Sequence, residues 1–352
     1  MKISILGENL TSLALAKSLI NTNLSVDIIT NKNLKHKNKS RTLGISKTNF
    51  KYFCDEICNI KNSGWNINSI EIYSDNDLKK NLISFKDPNQ LFSIVKNSVI
   101  QKTLLNSLKK SKKFKRVSKL EKNKHQLIID CDFQHPITKK FFFKKVEKNY
   151  NSFAYTTILK HKKLRNNQAI QVFTKDGPIA FLPLSNTETS IVYSLNKKIL
   201  MNKRKFLSLI KKYNIKYEIK NITKFESFNL KSSNLRSYYN ENVLAFGDLL
   251  HRIHPLAGQG YNMTIRDIRN LVDIIKNKQK LGLALDNSIF SEFQKKTKSK
   301  NYLFSQGIDF IYEFFNFERK INNKILNNSI SVIGRNRVLN KSFRILADVG
   351  AI

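Results

Sequence analysis

The chain is organised around Val243-Leu244-Ala245-Phe246-Gly247-Asp248 and the loop His254-Pro255-Leu256-Ala257-Gly258-Gln259-Gly260 that follows it. The four apolar residues predict a buried strand, which the Gly-Asp pair ends. Further apolar residues recur at helical spacing and predict a helix behind the loop: Ile265, Ile268, Leu271, Val272 and Ile275. Because free N–H groups and the positive end of a helix dipole face its N-terminus, this unit predicts a pocket for an anionic or electron-rich group.

The composition limits which classes of protein the chain can belong to. With 352 residues, 11 Gly and 5 Pro, the chain has a globular composition and the length for two interleaved domains and a tail. Its formal net charge is +37, from 63 Lys and Arg against 26 Asp and Glu. Such a charge suits an anionic membrane surface or nucleic acid, or it is a coding bias spread over solvated faces. Since the lysines are scattered and form no nucleic-acid-binding motif, nucleic acid is not an expected partner.

The cysteines and the N-terminus indicate a reducing compartment. Cys54 and Cys58 stand at helical spacing and Cys131 follows an apolar run, which makes neither a disulfide framework nor a metal-ligand set. The N-terminus lacks the layout of a signal peptide, and no apolar run approaches the roughly 18 residues that a membrane span needs. We therefore expect a cytoplasmic protein, with peripheral attachment to the inner face of the membrane as a further expectation.

Residues 1–30 predict a strand, a turn, a helix and a second strand, the βαβ opening of nucleotide-binding sheets. The turn reads Gly7-Glu8-Asn9-Leu10-Thr11-Ser12, where the dinucleotide fingerprint has three glycines. Asn9 tolerates unusual backbone angles but adds bulk where a pyrophosphate would approach, whereas Ser12 is small enough for helix packing. Thr30 stands where a ribose-binding acid is expected. A plain α/β unit without a dinucleotide therefore stays open.

Two further features of the first half bear on a site. Arg41 lies between a Lys-rich loop and an apolar run, so it is either a solvated cation or a contact to a cofactor phosphate or the substrate. The spacing predicts a helix over 94–108 and a buried strand over 127–132 with an acidic tip.

The second half of the chain has a different secondary-structure pattern from the first. Strand-like runs separated by turns predict a mostly antiparallel sheet over 150–236. After about residue 287 the chain is helical and rich in aromatic and basic residues. Those aromatic residues either pack the helix on the core or form a basic surface for a membrane or a partner protein.

The pattern Gly247-Asp248-x-x-His251-x-x-His254-Pro255-x-x-Gly258-Gln259-Gly260-x-Asn262, which continues to Asp267, resembles that of the FAD-dependent aromatic hydroxylases of the p-hydroxybenzoate hydroxylase type. It is most similar to their subgroup of ubiquinone-biosynthesis polyprenylphenol monooxygenases. Three other stretches agree in order: Arg41 to Ser46, Gly177-Pro178-x-Ala180-x-Leu182-Pro183-Leu184, and the tail from Asn340 to Gly350. The resemblance covers nearly the whole chain.

The resemblance implies an α/β fold with an FAD-binding Rossmann-like domain, an inserted, mostly antiparallel β-sheet substrate domain and a helical C-terminal region. The expected FAD-binding domain is discontinuous and comprises residues 1–68, 93–149 and 237–286. The expected substrate domain comprises residues 69–92 and 150–236, and the helical region residues 287–352.

The resemblance also implies a cofactor site. Asp248 matches the aspartate that hydrogen-bonds the ribityl chain of FAD, and the loop up to Gly260 matches the one whose backbone donors face the flavin ring. Asp132 matches a second Asp-Gly motif, in which Phe133 replaces the glycine. The expected cofactor-binding residues are Gly7, Asn9, Ser12, Arg41, Asp132, Gly247, Asp248, Pro255, Gly258, Gln259 and Gly260, and Pro183 is the expected substrate contact.

The implied chemistry belongs to the flavin, so no catalytic side chain and no metal are expected. His251 and His254 are expected to cap and pack the loop. NAD(P)H would reduce FAD, molecular oxygen would form a hydroperoxide on it, and a polyprenylated phenol of ubiquinone biosynthesis would attack the distal oxygen. A membrane surface and other ubiquinone-biosynthesis proteins are further expected partners.

Two alternatives stay open. The altered motifs at Gly7–Ser12 and Asp132-Phe133 favour a non-catalytic scaffold of a quinone-biosynthesis complex. Another FAD oxidoreductase, such as a reductase of prenyl chains, is the second alternative.

Overall fold

The structure, a computed structural model, describes residues 1–30, 40–120, 127–195, 201–223, 225–254, 258–321 and 348. The first elements in chain order are β1 (Lys2–Leu6), α1 (Leu10–Asn21), β2 (Ser25–Ile29), β3 (Thr42–Ser46), α2 (Lys47–Tyr52), β4 (Trp65–Ile67), β5 (Ser69–Ser74), β6 (Ile83–Lys86), β7 (Phe92–Lys96), α3 (Asn97–Lys109), β8 (Phe114–Val117), β9 (Leu127–Asp130) and α4 (Pro136–Phe141). The following elements are β10 (Lys145–His161), β11 (Gln168–Thr174), β12 (Gly177–Pro183), β13 (Glu188–Leu195), α5 (Lys203–Tyr213), β14 (Ile219–Ile222), β15 (Glu226–Leu235), β16 (Tyr239–Asn240), β17 (Val243–Ala245), β18 (His251–Arg252), α6 (Gly260–Lys280) and α7 (Ser288–Ile321). The predicted α/β class is confirmed.

The first sheet has six strands in the order β16-β17-β9-β1-β2-β8. Its strands from β17 to β8 run parallel, and β16 pairs antiparallel with β17 at the edge. Parallel strands are covered on both faces and are therefore apolar along their length, as the buried Ile3, Ile5 and Leu6 show. The predicted βαβ unit is confirmed. The predicted strand at Val243 joins the same sheet beside β9, which makes this sheet discontinuous in sequence.

The second sheet has nine strands and is mostly antiparallel, as predicted. The order is β18-β15-β10-β13-β12-β11-β5-β6, with β14 paired to β10, and only the β11–β5 pair on this path is parallel. Strand β10 pairs with β15 along one edge and with β13 along the other. The long β10 strand thereby organises this sheet.

The predicted helix over 94–108 is wrong at its start. Phe92–Lys96 form a strand that pairs antiparallel with β3 and β4, and the helix begins at Asn97. Ile94 and Val95 are β-branched and satisfy their backbone groups across this small sheet. The predicted strand over 127–132 likewise ends at Asp130. In both cases pairing partners far along the chain set the boundary.

Helix α7 packs against the core through α6, and the Phe293 ring lies 5.7 Å from the Phe246 ring. Its buried aromatic side chains are Phe290, Phe293, Phe304 and Tyr312. Its exposed large apolar side chains are Tyr302, Leu303 and Phe310. Core packing therefore accounts for the first set, and the second set remains at the surface. Within the described residues, no helix is both long and apolar enough to cross a bilayer.

Candidate functional site

The candidate site lies where three neighbouring parallel strands end. Gly7 is the first residue after β1, Asp132 is the second residue after β9, and Gly247 is the second residue after β17. Because β17, β9 and β1 are adjacent and parallel, their carboxyl ends meet at one edge of the sheet. Ligands of open α/β sheets bind outside this edge.

Gly7 and Gly247 are glycines for a steric reason. Gly7 has φ +86°, and a Cβ there would lie 2.8 Å from the Asp132 Cβ. Gly247 has φ +67°, and a Cβ there would lie 2.6 Å from the Thr11 Cγ2 in the first turn of α1. The first contact joins the ends of β1 and β9, and the second joins the end of β17 to the start of α1. The chain then presents Asp248 as an exposed carboxylate directly after the tightest of these contacts.

The start of α6 holds polar atoms that the described chain does not pair. Gly258 has φ +65° and faces Gly44 of β3, and Gly260 begins the helix. The buried Gln259 Oε1 and Tyr261 hydroxyl have no hydrogen-bond partner among the described residues. A buried polar atom left unpaired costs about 1–3 kcal/mol, so this end of the site suits a polar ligand. Pro255 lies outside the described residues.

Arg41 and Asp248 both act on Tyr261. Burial raises the pKa of Tyr261 above its ordinary range, the Arg41 charge lowers it, and the Asp248 charge raises it. Arg41 is exposed and precedes β3, and its carbonyl accepts a hydrogen bond from the Asn97 N–H at 3.0 Å. The predicted residues Arg41, Asp248, Gly258 and Gln259 therefore lie around the start of α6.

Asn262 was part of the sequence pattern but was given no role. Its Nδ2 donates to the Gly44 carbonyl at 2.9 Å, and its Oδ1 accepts from the Ser46 N–H at 2.9 Å and from Asn49 Nδ2 at 3.2 Å. The side chain is 1% exposed. Asn262 thus joins the first turn of α6 to β3 and fixes the spacing between Gly44 and Gly258. The sequence feature that indicates a role for Asn262 is its position in the Gly258-Gln259-Gly260-x-Asn262 pattern.

Asn262→Ala is expected to lower the free energy of unfolding by about 2–3 kcal/mol, because the partner groups at Gly44, Ser46 and Asn49 lose their hydrogen bonds in a buried place. It is also expected to weaken flavin binding. Urea unfolding and flavin titration measure the two effects. The matched control is Asn166→Ala, since Asn166 is equally buried and its side chain makes three bonds, to Ser185, Thr189 and Tyr217. Equal flavin affinity in the two variants would contradict the assignment.

The tail contributes one described residue to this region. The Asp348 carboxylate accepts from the Thr48 N–H at 3.0 Å and from the Thr48 hydroxyl at 2.7 Å, and its carbonyl accepts from the Ser46 hydroxyl at 3.2 Å. Asp348 therefore caps the start of α2 beside the Asn262 contacts. The rest of the tail, Asn340 to Ala347 and Val349 to Gly350, lies outside the described residues.

Asn9 and Ser12 lie at the N-terminus of α1. Asn9 is the N-cap residue, with φ −130° and ψ −178°, so its backbone is extended and needs no glycine-like freedom. Ser12 is buried in the first turn and hydrogen-bonds Asn9 through both its N–H and its hydroxyl. The tolerance of Asn for unusual backbone angles is not used here.

The Asp132-Phe133 turn is held by local bonds. The Asp132 carboxylate accepts from the Gln134 N–H at 2.9 Å, and the Asp132 N–H donates to Asp130 Oδ1 at 3.0 Å. The Phe133 side chain is 46% exposed. His135 accepts from the Ile137 N–H at 3.2 Å and caps α4.

Asp130 is buried at the end of β9, and burial raises its pKa from 3.8 to about 6. The native state therefore binds this proton more tightly than the unfolded state. This tighter proton binding stabilises the folded state by about 3 kcal/mol. The stabilisation is fully present below pH 3.8 and is lost as the pH rises through about 6.

Asp130→Asn is expected to remove the fall in stability between about pH 4 and pH 6. The amide keeps an acceptor for the Asp132 N–H and offers a donor to the Thr138 hydroxyl, which bonds Asp130 in the wild type at 2.5 Å. Thermal unfolding across pH 4 to 7 tests this. An unchanged slope in the variant would show that another group causes the pH dependence.

The two histidines of the pattern make structural contacts. His251 Nε2 lies 2.5 Å from Asp267 Oδ2 with both side chains about 1% exposed, and Asp267 Oδ1 accepts from Asn301 Nδ2 at 3.0 Å. These bonds join β18, α6 and α7. His254 stacks on Tyr312, with ring centroids 4.1 Å apart, and meets the edge of Tyr150 at 4.9 Å. The contacts support the expected capping and packing roles.

Pro183 lies in the second sheet. It ends β12, is buried and pairs with Thr189 of β13. Its neighbours Leu182 and Leu184 pack on a small apolar cluster that includes Ile67, Ile94 and Ala169.

The described ranges offer neither a metal-ligand cluster nor an activated thiol. No group of three or more His, Cys, Asp or Glu residues could hold a metal ion there. The three cysteines are free, and burial raises the pKa of each thiol, most for Cys131. Buried thiols of this kind are weak nucleophiles.

Comparison with known proteins places the fold in one class. The structure superposes on p-nitrophenol 4-monooxygenase PnpA from Pseudomonas putida with a TM-score of 0.82 and 8% identity, covering 99% of this chain and 98% of the other. It superposes on Klebsiella pneumoniae HpxO, solved with FAD and uric acid, with a TM-score of 0.75 and 12% identity, covering 99% and 97%. The fold is that of FAD-dependent monooxygenases.

Sequence comparison points to a narrower group. The family described as FAD binding domain matches residues 202–280. The chain is 30% identical over 153 residues to the 3-demethoxyubiquinol 3-hydroxylase of Escherichia coli, covering 41% of this chain and 39% of the relative. It is 26% identical over 202 residues to the ubiquinone biosynthesis monooxygenase COQ6 of Dictyostelium discoideum, covering 47% and 39%. The matches therefore span about two fifths of each relative, and they confirm the predicted resemblance to the ubiquinone-biosynthesis subgroup.

Proposed function

We propose that this protein is an FAD-dependent monooxygenase that uses NAD(P)H and molecular oxygen to hydroxylate a polyprenylated phenol in ubiquinone biosynthesis. The observation that carries the proposal is the start of α6. There, Gly258 has a positive φ, and the buried Gln259 Oε1 has no hydrogen-bond partner in the part of the chain that the structure describes. Both lie in the loop that follows the exposed Asp248. The shared fold and the names of the relatives support the same activity.

In this proposal the strand ends and the α6 loop hold FAD. Asp248 binds the ribityl chain, and the backbone N–H groups of Gly258 to Gly260 face the flavin ring. Since the positive end of the α6 dipole lies behind this loop, it stabilises negative charge on the ring. When bound, the flavin supplies electron transfer from NAD(P)H and the activation of oxygen. The protein's own residues orient the ring and the phenol and exclude water.

Gly7, Asn9, Ser12, Arg41, Asp132 and Gly247 complete the proposed cofactor site, and Pro183 is the proposed substrate contact. We also propose the domain division predicted above. Residues 1–68, 93–149 and 237–286 then bind FAD, residues 69–92 and 150–236 cover the substrate, and residues 287–352 form the helical C-terminal region. An apolar cluster of Phe173, Ile253, Met263, Phe304 and Ile308 joins the second sheet to α6 and α7.

We propose a cytoplasmic protein that attaches peripherally to the inner face of the membrane, where a polyprenylated substrate would reside. Exposed apolar side chains beside lysines support this: Phe133, Phe143 and Val146 are 46%, 62% and 47% exposed. Lys139, Lys140, Lys144 and Lys145 are exposed in the same segment. Basic surfaces of this kind bind anionic bilayers. Other ubiquinone-biosynthesis proteins are further proposed partners.

The test is whether the purified protein carries flavin. We expect a yellow protein with flavin absorbance, or uptake of added FAD by a colourless preparation. The second measurement is NAD(P)H oxidation with hydroxylation of a polyprenylphenol. A protein that neither contains nor takes up FAD would contradict the proposal.

A non-catalytic scaffold in a quinone-biosynthesis complex is the second candidate function. The closed N-terminus of α1, where Asn9 and Ser12 pair with each other, favours it. The scaffold predicts copurification with partner proteins and no NAD(P)H oxidation. At the other end of the site, Gln259 Oε1 has no partner among the residues that the structure describes, which favours the enzyme.

A further inference from the structure

The N-terminus of α1 is closed by the chain's own side chains. Asn9 Oδ1 accepts from the Ser12 N–H at 3.0 Å, and the Ser12 hydroxyl accepts from the Asn9 N–H at 2.8 Å. This reciprocal pair is a capping box. The first-turn N–H groups of a helix are the donors that a phosphate binds at a nucleotide site. Here two of the donors in this turn are already paired.

A third bond locks the Asn9 amide in this position. Asn9 Nδ2 donates to the Cys131 carbonyl at 2.8 Å, so the amide bridges the end of β9 and the start of α1. Since Oδ1 and Nδ2 are both paired, the amide has one favoured orientation. A group that approaches the Ser12 N–H has to displace the side chain and break both bonds.

The charges beside this turn do not favour an anion either. Glu8 lies in the turn with its side chain 6% exposed and pairs with Arg116 of β8. Asp132 packs against Gly7 on the other side. The cation in these contacts, Arg116, is already paired with a carboxylate. A diphosphate would therefore meet two carboxylates.

The two ends of the site thus differ. At the ring end, buried polar atoms of Gln259 and Tyr261 lack partners among the described residues. At the phosphate end, the cap pairs the Asn9 and Ser12 N–H groups, and the ion pair with Arg116 satisfies the Glu8 carboxylate. We propose that Asn9 is a specificity-determining residue that lowers the contribution of the diphosphate–adenosine half to cofactor binding, so that the flavin ring and ribityl chain carry most of the affinity. This inference rests on the proposed flavin-binding function.

The test compares FAD with riboflavin, which lacks the diphosphate and the adenosine. Wild type, Asn9→Gly, Asn9→Ala and Asn9→Asp are titrated with each flavin, with fluorescence quenching as the readout. Since each lost hydrogen bond changes an equilibrium by a few-fold, Asn9→Gly is expected to bind FAD roughly fivefold to tenfold more tightly and riboflavin within about twofold of wild type. Asn9→Asp, which keeps the cap and adds charge, is expected to bind FAD roughly fivefold more weakly.

The matched control is Asn202→Gly. Asn202 caps α5 by accepting from the Lys205 N–H at 2.8 Å, so the same change removes an N-cap of a helix that the proposed site does not use. It is expected to leave both flavin affinities unchanged. Because glycine is an accepted N-cap residue, both glycine variants are expected to melt within about 2 °C of wild type.

The outcomes separate the two proposals. Riboflavin binding with an unchanged ratio of FAD to riboflavin affinity in Asn9→Gly would overturn the role of Asn9 alone. A lower ratio would overturn it too, since Asn9 would then assist FAD binding. Absence of binding of either flavin by every variant would overturn the proposed function and this inference together.

Discussion

Replacing Gly247 by alanine is expected to cost about 3 kcal/mol or more in the free energy of unfolding, because two penalties add at this residue. The left-handed φ of +67° strains any residue with a Cβ. The new Cβ would also lie 2.6 Å from the Thr11 Cγ2 and 3.2 Å from the Thr11 Cβ. Since Asp248 follows directly, flavin affinity is expected to fall roughly tenfold as well. Urea unfolding and flavin titration measure the two effects.

Gly282→Ala is the control for the backbone penalty. Gly282 has the same φ of +67°, but nothing lies within 4 Å of its added Cβ. It is expected to cost about 1 kcal/mol and to leave flavin binding unchanged. The double variant Gly247→Ala with Thr11→Ala is expected to recover part of the loss, because it removes the two closest Thr11 atoms. Equal losses at Gly247 and Gly282 would show that the close approach of β17 to α1 is not needed.

Removing one partner of the His251–Asp267 pair is expected to cost about 3–5 kcal/mol, because the other partner stays polar in a place with about 1% exposure. His251→Leu and Asp267→Leu should each show this loss in urea unfolding. The double variant should cost less than the sum of the two, with a coupling of about 2 kcal/mol. Asn301 still loses its acceptor when Asp267 is replaced, so the double variant does not reach wild-type stability.

The exposed pair of Lys162 and Glu218 is the control for this cycle, since both side chains are more than 60% exposed. Its coupling is expected to stay below about 1 kcal/mol. A coupling for His251 and Asp267 as small as that of the surface pair would contradict their role in joining β18 to α6. Such a result would also show that the His251–Asp267 pair does not hold the loop before α6 in place.

The fold was predictable wherever local patterns coincide with tertiary requirements. The strands of the βαβ unit at the N-terminus are apolar because parallel strands are buried on both faces. This apolar pattern is visible in the sequence of residues 1–30. The helix at Asn97 was predicted three residues early, because Ile94 and Val95 fit both a helix face and a strand. Their pairing with β3 and β4 decided between the two.

The candidate site was predictable at its ring end and less so at its phosphate end. The spacing of Gly258, Gln259 and Gly260 after Asp248 marked the loop, and the structure places Gly258 against Gly44. The role of Asn262 depends on Gly44, Ser46 and Asn49, which are more than 200 residues away in sequence. Such a contact leaves no periodicity to detect.

At the phosphate end, the sequence indicated only that Asn9 and Ser12 replace glycines. That the two residues cap each other, and that Asn9 also reaches the Cys131 carbonyl, required the packing of β9 beside β1. Phe133, which replaces the glycine of the second Asp-Gly motif, has a side chain that is 46% exposed. The replacements of motif glycines thus differ in their structural consequences: Asn9 and Ser12 close a helix N-terminus, whereas Phe133 is exposed.

The sequence by itself determined the α/β class, the βαβ opening, the antiparallel second sheet and the loop from Gly247 to Gly260, because each depends on periodicity or on glycines at short range. Only the tertiary structure decided which glycines are sterically required, which polar atoms stay unpaired and which are capped. Gly7 and Gly247 are required because Asp132 and Thr11 lie against them. The first contact joins the end of β1 to the turn after β9, and the second joins the turn after β17 to the first turn of α1. These segments are distant in sequence, and chain packing alone brings them together.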